Sequence, residues 1–174
     1  LRVLSGGLVI KYVGLHFSSA LGLTPLGLAR VELGGFCSMI TLTLLAGWLS
    51  DPAKGALPRG TVCLGLLLVC DAANFVVATV PACGVAGAGG AWALREGTLN
   101  AVFALKKSIL MDHTPKGARG RWNAVESLQV AIWSGAAVVS GLVIHDFGYA
   151  VVFWAMAVGF VAATLVWVPL RTIR

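Results

Sequence analysis

"KSILMDHTPKGARGRWNAVES", Lys107 to Ser127, is the most polar stretch of this chain, whereas residues 72–94 and 147–170 contain no Asp, Glu, Lys or Arg. Charge gathered between long uncharged runs is the pattern of a polypeptide that crosses lipid repeatedly. The 174 residues are 58% hydrophobic and only 11% charged, against about 25% charged in a soluble domain, which must cover itself with polar surface. Working outward from the polar stretch, six apolar blocks can be read at roughly 3–21, 26–49, 60–80, 83–108, 122–144 and 149–168. Each approaches the roughly 20 apolar residues that a membrane-spanning helix needs. Short breaks separate them: Leu23-Thr24-Pro25, Asp51-Pro52, Val80-Pro81, Thr114-Pro115 and His145-Asp146-Phe147-Gly148. Lipid demands that backbone polar groups be satisfied internally, and runs without period-2 alternation do not make a membrane barrel. The expectation is an all-α membrane protein with six transmembrane helices in a single bundle over 1–174, with cytoplasmic loops at about 50–59 and 109–121.

Charge sets the orientation. Ten of the thirteen Lys and Arg (Arg2, Lys54, Arg59, Lys106, Lys107, Lys116, Arg119, Arg121, Arg171 and Arg174) fall at the termini or in the loops after the second and fourth blocks. The loops on the other side carry none, and Lys11, Arg30 and Arg95 lie inside blocks. Positive charge in short loops marks the cytoplasmic side, so both termini are expected in the cytoplasm. The basic balance is then a matter of topology and lipid contact, and no nucleic-acid partner is expected. Trp48, Trp122 and Trp167 fall at expected cytoplasmic helix ends and Tyr149 at an outer end, as interfacial anchors do. The chain starts at Leu1 and enters a helix almost at once, with no signal-peptide pattern. A longer parent chain is therefore expected.

Ionisable groups inside spans are expensive and often mark a pathway. Lys11 lies near the middle of the first block, with Gly7 and Gly14 at i−4 and i+3 leaving room for a backbone or a ligand; a lysine snorkelling to the interface is the plainer alternative. In the fourth block Glu96 and Asn100 share one stripe with Trp92, while Arg95 and Thr98 share the next. Adjacent helical residues point about 100° apart, so Arg95 and Glu96 are not expected to pair. This polar face suggests a wet cavity, or equally an ion pair between helices. Asp71 and Asn74 share a face of the third block. Gln129 and Trp133 precede a run of small residues, Ser134 to Ala137 and Ser140-Gly141, that suits close helix packing. Ser134 and His145 are too far apart along one helix to act as nucleophile and base, and "GVAGAGG" follows no strand, so it is not a phosphate loop. Cys37, Cys63, Cys70 and Cys83 lie at apolar positions without ligand spacing. No enzymatic activity, metal or cofactor is expected.

Beyond these readings, the chain resembles the C-terminal six-helix half of a major facilitator superfamily transporter over essentially its whole length. "GWLSDPAKGALPRG" (47–60) resembles the Gly-x-Leu-x-Asp-plus-basic loop motif between the second and third helices of each half, carried here by Gly47, Asp51, Lys54 and Arg59. "LKKSILMDHTPKGARGRWNAVES" (105–127) resembles the loop before the penultimate helix in a eukaryotic and protist branch. "WSGAAVVSGLVIHDFGYAVVF" (133–153) is similar to the Gly-rich helix that follows, with Ala150 where an Arg is common. The resemblance implies a 3+3 inverted repeat, which the two halves of the sequence do not display. It implies that the first, second, fourth and fifth helices line a cavity with Lys11, Arg95, Glu96, Asn100, Gln129 and Trp133 on the substrate or ion pathway. It also makes Asp71 and Asn74 structural partners within the membrane. The expected function is a secondary carrier for a small-molecule solute, working by alternating access with a missing N-terminal six-helix half or a second copy. Lys11 and Glu96 would compensate each other until an anionic substrate, or a proton on Glu96, separates them, so proton coupling is one form this carrier could take. A non-transporting six-helix scaffold or receptor-like module, or a degenerate transporter remnant, is the alternative.

Overall fold

The computed structural model describes residues 1–51, 53, 57–79 and 82–169. Among these the protein is all-α, with seven α-helices: α1 (Arg2–Val9), α2 (Val13–Leu21), α3 (Pro25–Leu49), α4 (Arg59–Ala78), α5 (Gly84–His113), α6 (Arg119–Phe147) and α7 (Tyr149–Trp167). Four of them, α3, α4, α6 and α7, are long and apolar enough to cross a membrane. On that basis the chain is an integral membrane protein with several candidate spans.

The helix ends follow local chemistry. Gly22 takes φ 62° and closes α2 in the left-handed region that favours glycine. Thr24 then accepts a hydrogen bond from Gly27 N (3.2 Å), with Pro25 at the first helical position. Gly148, at φ 79°, separates α6 from α7.

Two of the six expected blocks take another form. The first is divided: Tyr12 N bonds Val9 O, three residues back (2.8 Å), and this tight turn separates α1 from α2 at Ile10–Tyr12. At this turn the Tyr12 hydroxyl donates to the Ala137 carbonyl of α6 (3.0 Å). The fourth block is a single 30-residue helix, α5, whose Arg95, Glu96, Lys106, Lys107 and Asp112 remove it from the strongly apolar set.

Helices α4 and α7 form the centre. Half of the apolar window of α4 is buried, against 6% for α3 and 11% for α6. Neighbours run in the order α3, α5, α4, α7, α1, α6, so α3 and α6 lie at the two flanks. The larger core joins Val13 and Phe17 of α2, Val77 of α4, Trp92 of α5, and Phe153, Met156 and Phe160 of α7. A smaller one at the opposite end joins Ala46, Val62, Cys63, Leu105 and Ile109. That second end also holds the basic contacts. Arg59 Nη1 reaches Ser108 Oγ (3.0 Å) and the Asp112 carboxylate, and Trp167 Nε1 lies 3.5 Å from Gly60 O. Of the four cysteines at apolar positions, Cys63 and Cys70 are buried, while Cys37 and Cys83 are exposed.

Candidate functional site: a cationic, aromatic-walled pocket

A pocket of about 830 Å³ lies between α1, α5 and α6, with Trp167 of α7 also lining it. Its size falls in the range of small-molecule sites. Helix α5 supplies one long wall, because residues three, four, seven and eleven apart recur on one helical face: Arg95, Leu99, Phe103 and Lys106 all line it. Helix α6 supplies Trp122, Glu126, Gln129 and Trp133 opposite.

The deep part is built around Phe160. Its ring stacks against the Arg2 guanidinium, 4.7 Å from the centroid, and against that of Arg95 at 5.6 Å. Arg95 also lies 4.5 Å from the Trp92 ring. Such cation–π contacts offset part of the cost of taking guanidinium groups out of water. Gly6 of α1 lies alongside, where a Cβ would make ordinary van der Waals contact with Arg95 Nη2 and Phe160 at 3.7 Å. Arg2 is held further by the Phe160 carbonyl (3.3 Å), by the Thr164 hydroxyl and by Asp71 at 3.5 Å. Arg95 pairs with Glu96. Yet Arg95 Nε and Arg2 Nη1, both buried, have no acceptor among the described residues.

Five of the expected pathway residues, Arg95, Glu96, Asn100, Gln129 and Trp133, meet at this pocket. Lys11 does not. It is exposed at the turn between α1 and α2, and makes no ion pair among the described residues. Of the two glycines beside it, Gly7 admits the close backbone expected there, since a Cβ on it would sit 2.3 Å from Trp133 O, while the space beside Gly14 is open, with nothing within 4 Å. The pairing of Lys11 with Glu96 is therefore corrected to Arg95 with Glu96. The 100° offset that argued against a neighbouring pair applies to the Cα–Cβ directions. Two long side chains still bend across it when both escape the apolar surroundings that way. Asn100 Nδ2 turns back to Glu96 O (2.8 Å), a local helix contact. The expectation that the second block lines the cavity is also corrected, because no residue of α3 does so.

Asp71 and Asn74 are buried in α4; Asp71 faces Arg2, and Asn74 Nδ2 lies 3.7 Å from Cys70 Sγ. In the loop motif, Gly47 is exposed, Asp51 Oδ1 accepts from Ala53 N (3.0 Å), and Arg59 turns to Asp112 and Ser108 of α5. Lys54 lies outside the described residues.

Arg2 was expected at the cytoplasmic N-terminus and Lys106 on the cytoplasmic side after the fourth block, but both line the pocket. For Lys106 a signal existed: it lies eleven residues from Arg95, on the same face of one helix, about 16 Å away along the axis. For Arg2 there was none, because only its contacts with α4 and α7 draw the side chain inward.

Compared with models of protein families, with curated proteins and with solved structures, the chain finds no match in any of the three.

Proposed function

We propose that this chain is one six-helix half of a secondary transporter of the major facilitator type, its pocket forming one wall of a solute pathway and its basic end facing the cytoplasm. One observation carries the reading. Count α1 and α2 as one helical block, so that there are six. The five most extensive contacts then join blocks one and five, two and four, one and six, three and four, and three and six. Exchanging the first three blocks with the last three turns this set into itself. Such exchange is what a 3+3 repeat produces, and solute sites of repeat-built carriers lie between the repeats near mid-membrane. The pocket lies between the first block and the fourth and fifth, with its buried arginines in the deep part. Buried ionisable groups in a span are costly to keep for packing alone, which favours the carrier over the scaffold.

In this reading α1–α2 and α5 are the fifth and sixth crossings beside the four apolar candidates. A second six-helix unit supplies the opposite wall. The test is solute flux in proteoliposomes. The full-length gene product should accumulate a solute or exchange it against a gradient, while these 174 residues reconstituted as a monomer should not. Robust accumulation by the monomeric segment overturns the half-transporter reading, and a full-length product that moves no solute in a broad panel overturns transport itself.

A further inference from the structure

Taken charge by charge, the pocket does not balance. Arg2 faces Asp71, Arg95 faces Glu96, and Lys107 Nζ lies 3.2 Å from Glu126 Oε2. Lys106 lines the same cavity, yet among the described residues it has no carboxylate within ion-pair distance. Its ammonium instead lies 5.5 Å from the Trp167 ring centroid and 5.9 Å from that of Phe103. One positive charge is therefore left over. Deeper in, the Arg95 side chain is 2% exposed, and its Nε finds no acceptor among the described residues although the residue lines the cavity. A buried donor without a partner is expensive, but Arg95 lies about 16 Å along α5 from Lys106, so the charge held at Lys106 does not reach it. The remaining walls near these groups are Leu99, Phe103, Trp122 and Trp133, so whatever enters meets aromatic and aliphatic surface as well as charge.

We propose that this pocket binds a small organic anion bearing one negative charge and a flat apolar body. Lys106 supplies the countercharge as a mobile point charge with three donors, and the tryptophans and Phe103 cover the body. The other chemistries fit less well. An inorganic anion would leave the aromatic walls wet, a cation would be repelled by Lys106, and a neutral solute would leave that charge uncompensated. The proposal rests on the transporter reading only in taking the pocket as the solute site; the charge preference itself is a property of binding.

The test uses the full chain in lipid nanodiscs and three probes of one shape: 2-naphthoate, 2-naphthamide and 2-naphthylmethylamine. Quenching of tryptophan fluorescence is read against empty nanodiscs, since Trp122, Trp133 and Trp167 all line the pocket. The expected result is saturable quenching by 2-naphthoate, with affinity about tenfold or more above the amide and the amine. Lys106→Met should bring the three probes to within about twofold of one another, Lys106→Arg should keep the anion preference, and Lys11→Met, outside the pocket, should not alter it. Because Lys106 has no carboxylate partner, its removal strands no opposite charge. Should Lys106→Met not purify as a folded helical protein, Lys106→Gln takes its place. Equal binding of the three probes to the unaltered chain, no saturable binding at all, or an anion preference that survives loss of the Lys106 charge overturns the proposal. Anion binding without flux in proteoliposomes removes the transporter reading and leaves this site standing; flux of solutes with no anion preference does the reverse.

Discussion

Arg2 and Arg95 approach the ring of Phe160 together, and each has a carboxylate beside it, Asp71 or Glu96, that offsets part of their mutual repulsion. At this scale stability depends on pairs, because removing one partner leaves the other charge uncompensated in a poorly solvated place. Asp71→Asn should lower stability in detergent by on the order of 3 kcal/mol, the lower end of the range for breaking a buried pair, since Arg2 keeps the Phe160 carbonyl and the Thr164 hydroxyl. Thermal melting of the purified variant measures it. The double variant Arg2→Met, Asp71→Leu should recover most of the loss, and no recovery would mean that Asp71 acts through something other than this charge. At the basic end the Arg59–Asp112 pair is different in kind, because the Asp112 side chain is 58% exposed. Water screens such a pair, so Asp112→Asn should cost no more than about 1 kcal/mol, and less in high salt.

Packing between helices is decided by small residues rather than by hydrophobicity, since lipid is as apolar as leucine. Helix α3 packs on α5 at Gly97, where a Cβ would lie 2.1 Å from Ser38 Oγ and 2.7 Å from the Ser38 carbonyl carbon. Backbone cannot move aside as a flexible side-chain tip can. Gly97→Ala should therefore force α3 away from α5 and cost about 1–3 kcal/mol, the usual range for overpacking. Gly90→Ala, on the same helix with nothing within 4 Å, should be neutral or stabilising by up to about 1 kcal/mol through helix propensity. Melting curves of the two variants side by side check the contrast; equal behaviour would show that the α3–α5 contact is not this close. The same logic at Gly7, against Trp133 O and Ala136, ties α1 to α6 and makes the small-residue run of α6 a packing surface.

Across the whole molecule, the testable property is which side each loop occupies. On a background without native cysteines, Gly117→Cys should react with an impermeant thiol reagent from the cytoplasmic face only. Gly148→Cys, at the α6–α7 break, should react from the opposite face only. Labelling of both from one side would remove the six-crossing arrangement, because α6 would then not cross.

Hydropathy is a property of local stretches of chain, and the sequence alone therefore determined the class of the protein and the limits of four of its helices. The expected blocks at 26–49, 60–80, 122–144 and 149–168 became α3, α4, α6 and α7 with ends displaced by at most three residues. The loop expected at about 109–121 is shorter, because α5 continues to His113 and α6 begins at Arg119, so most of the polar stretch at 107–127 is helical. The face of α5 that carries Arg95, Glu96 and Asn100 was legible too, because helical periodicity places those residues without reference to any other helix. What the sequence could not determine is anything that depends on which helix lies beside which. The turn at Ile10–Tyr12 has no proline or glycine within it to announce it. The exclusion of Lys11 and the inward reach of Arg2 are likewise tertiary, whereas the Arg95–Glu96 pair joins neighbours on one helix. A charged side chain in an apolar bundle takes the nearest group that satisfies it, and that distance exists only once the helices have packed.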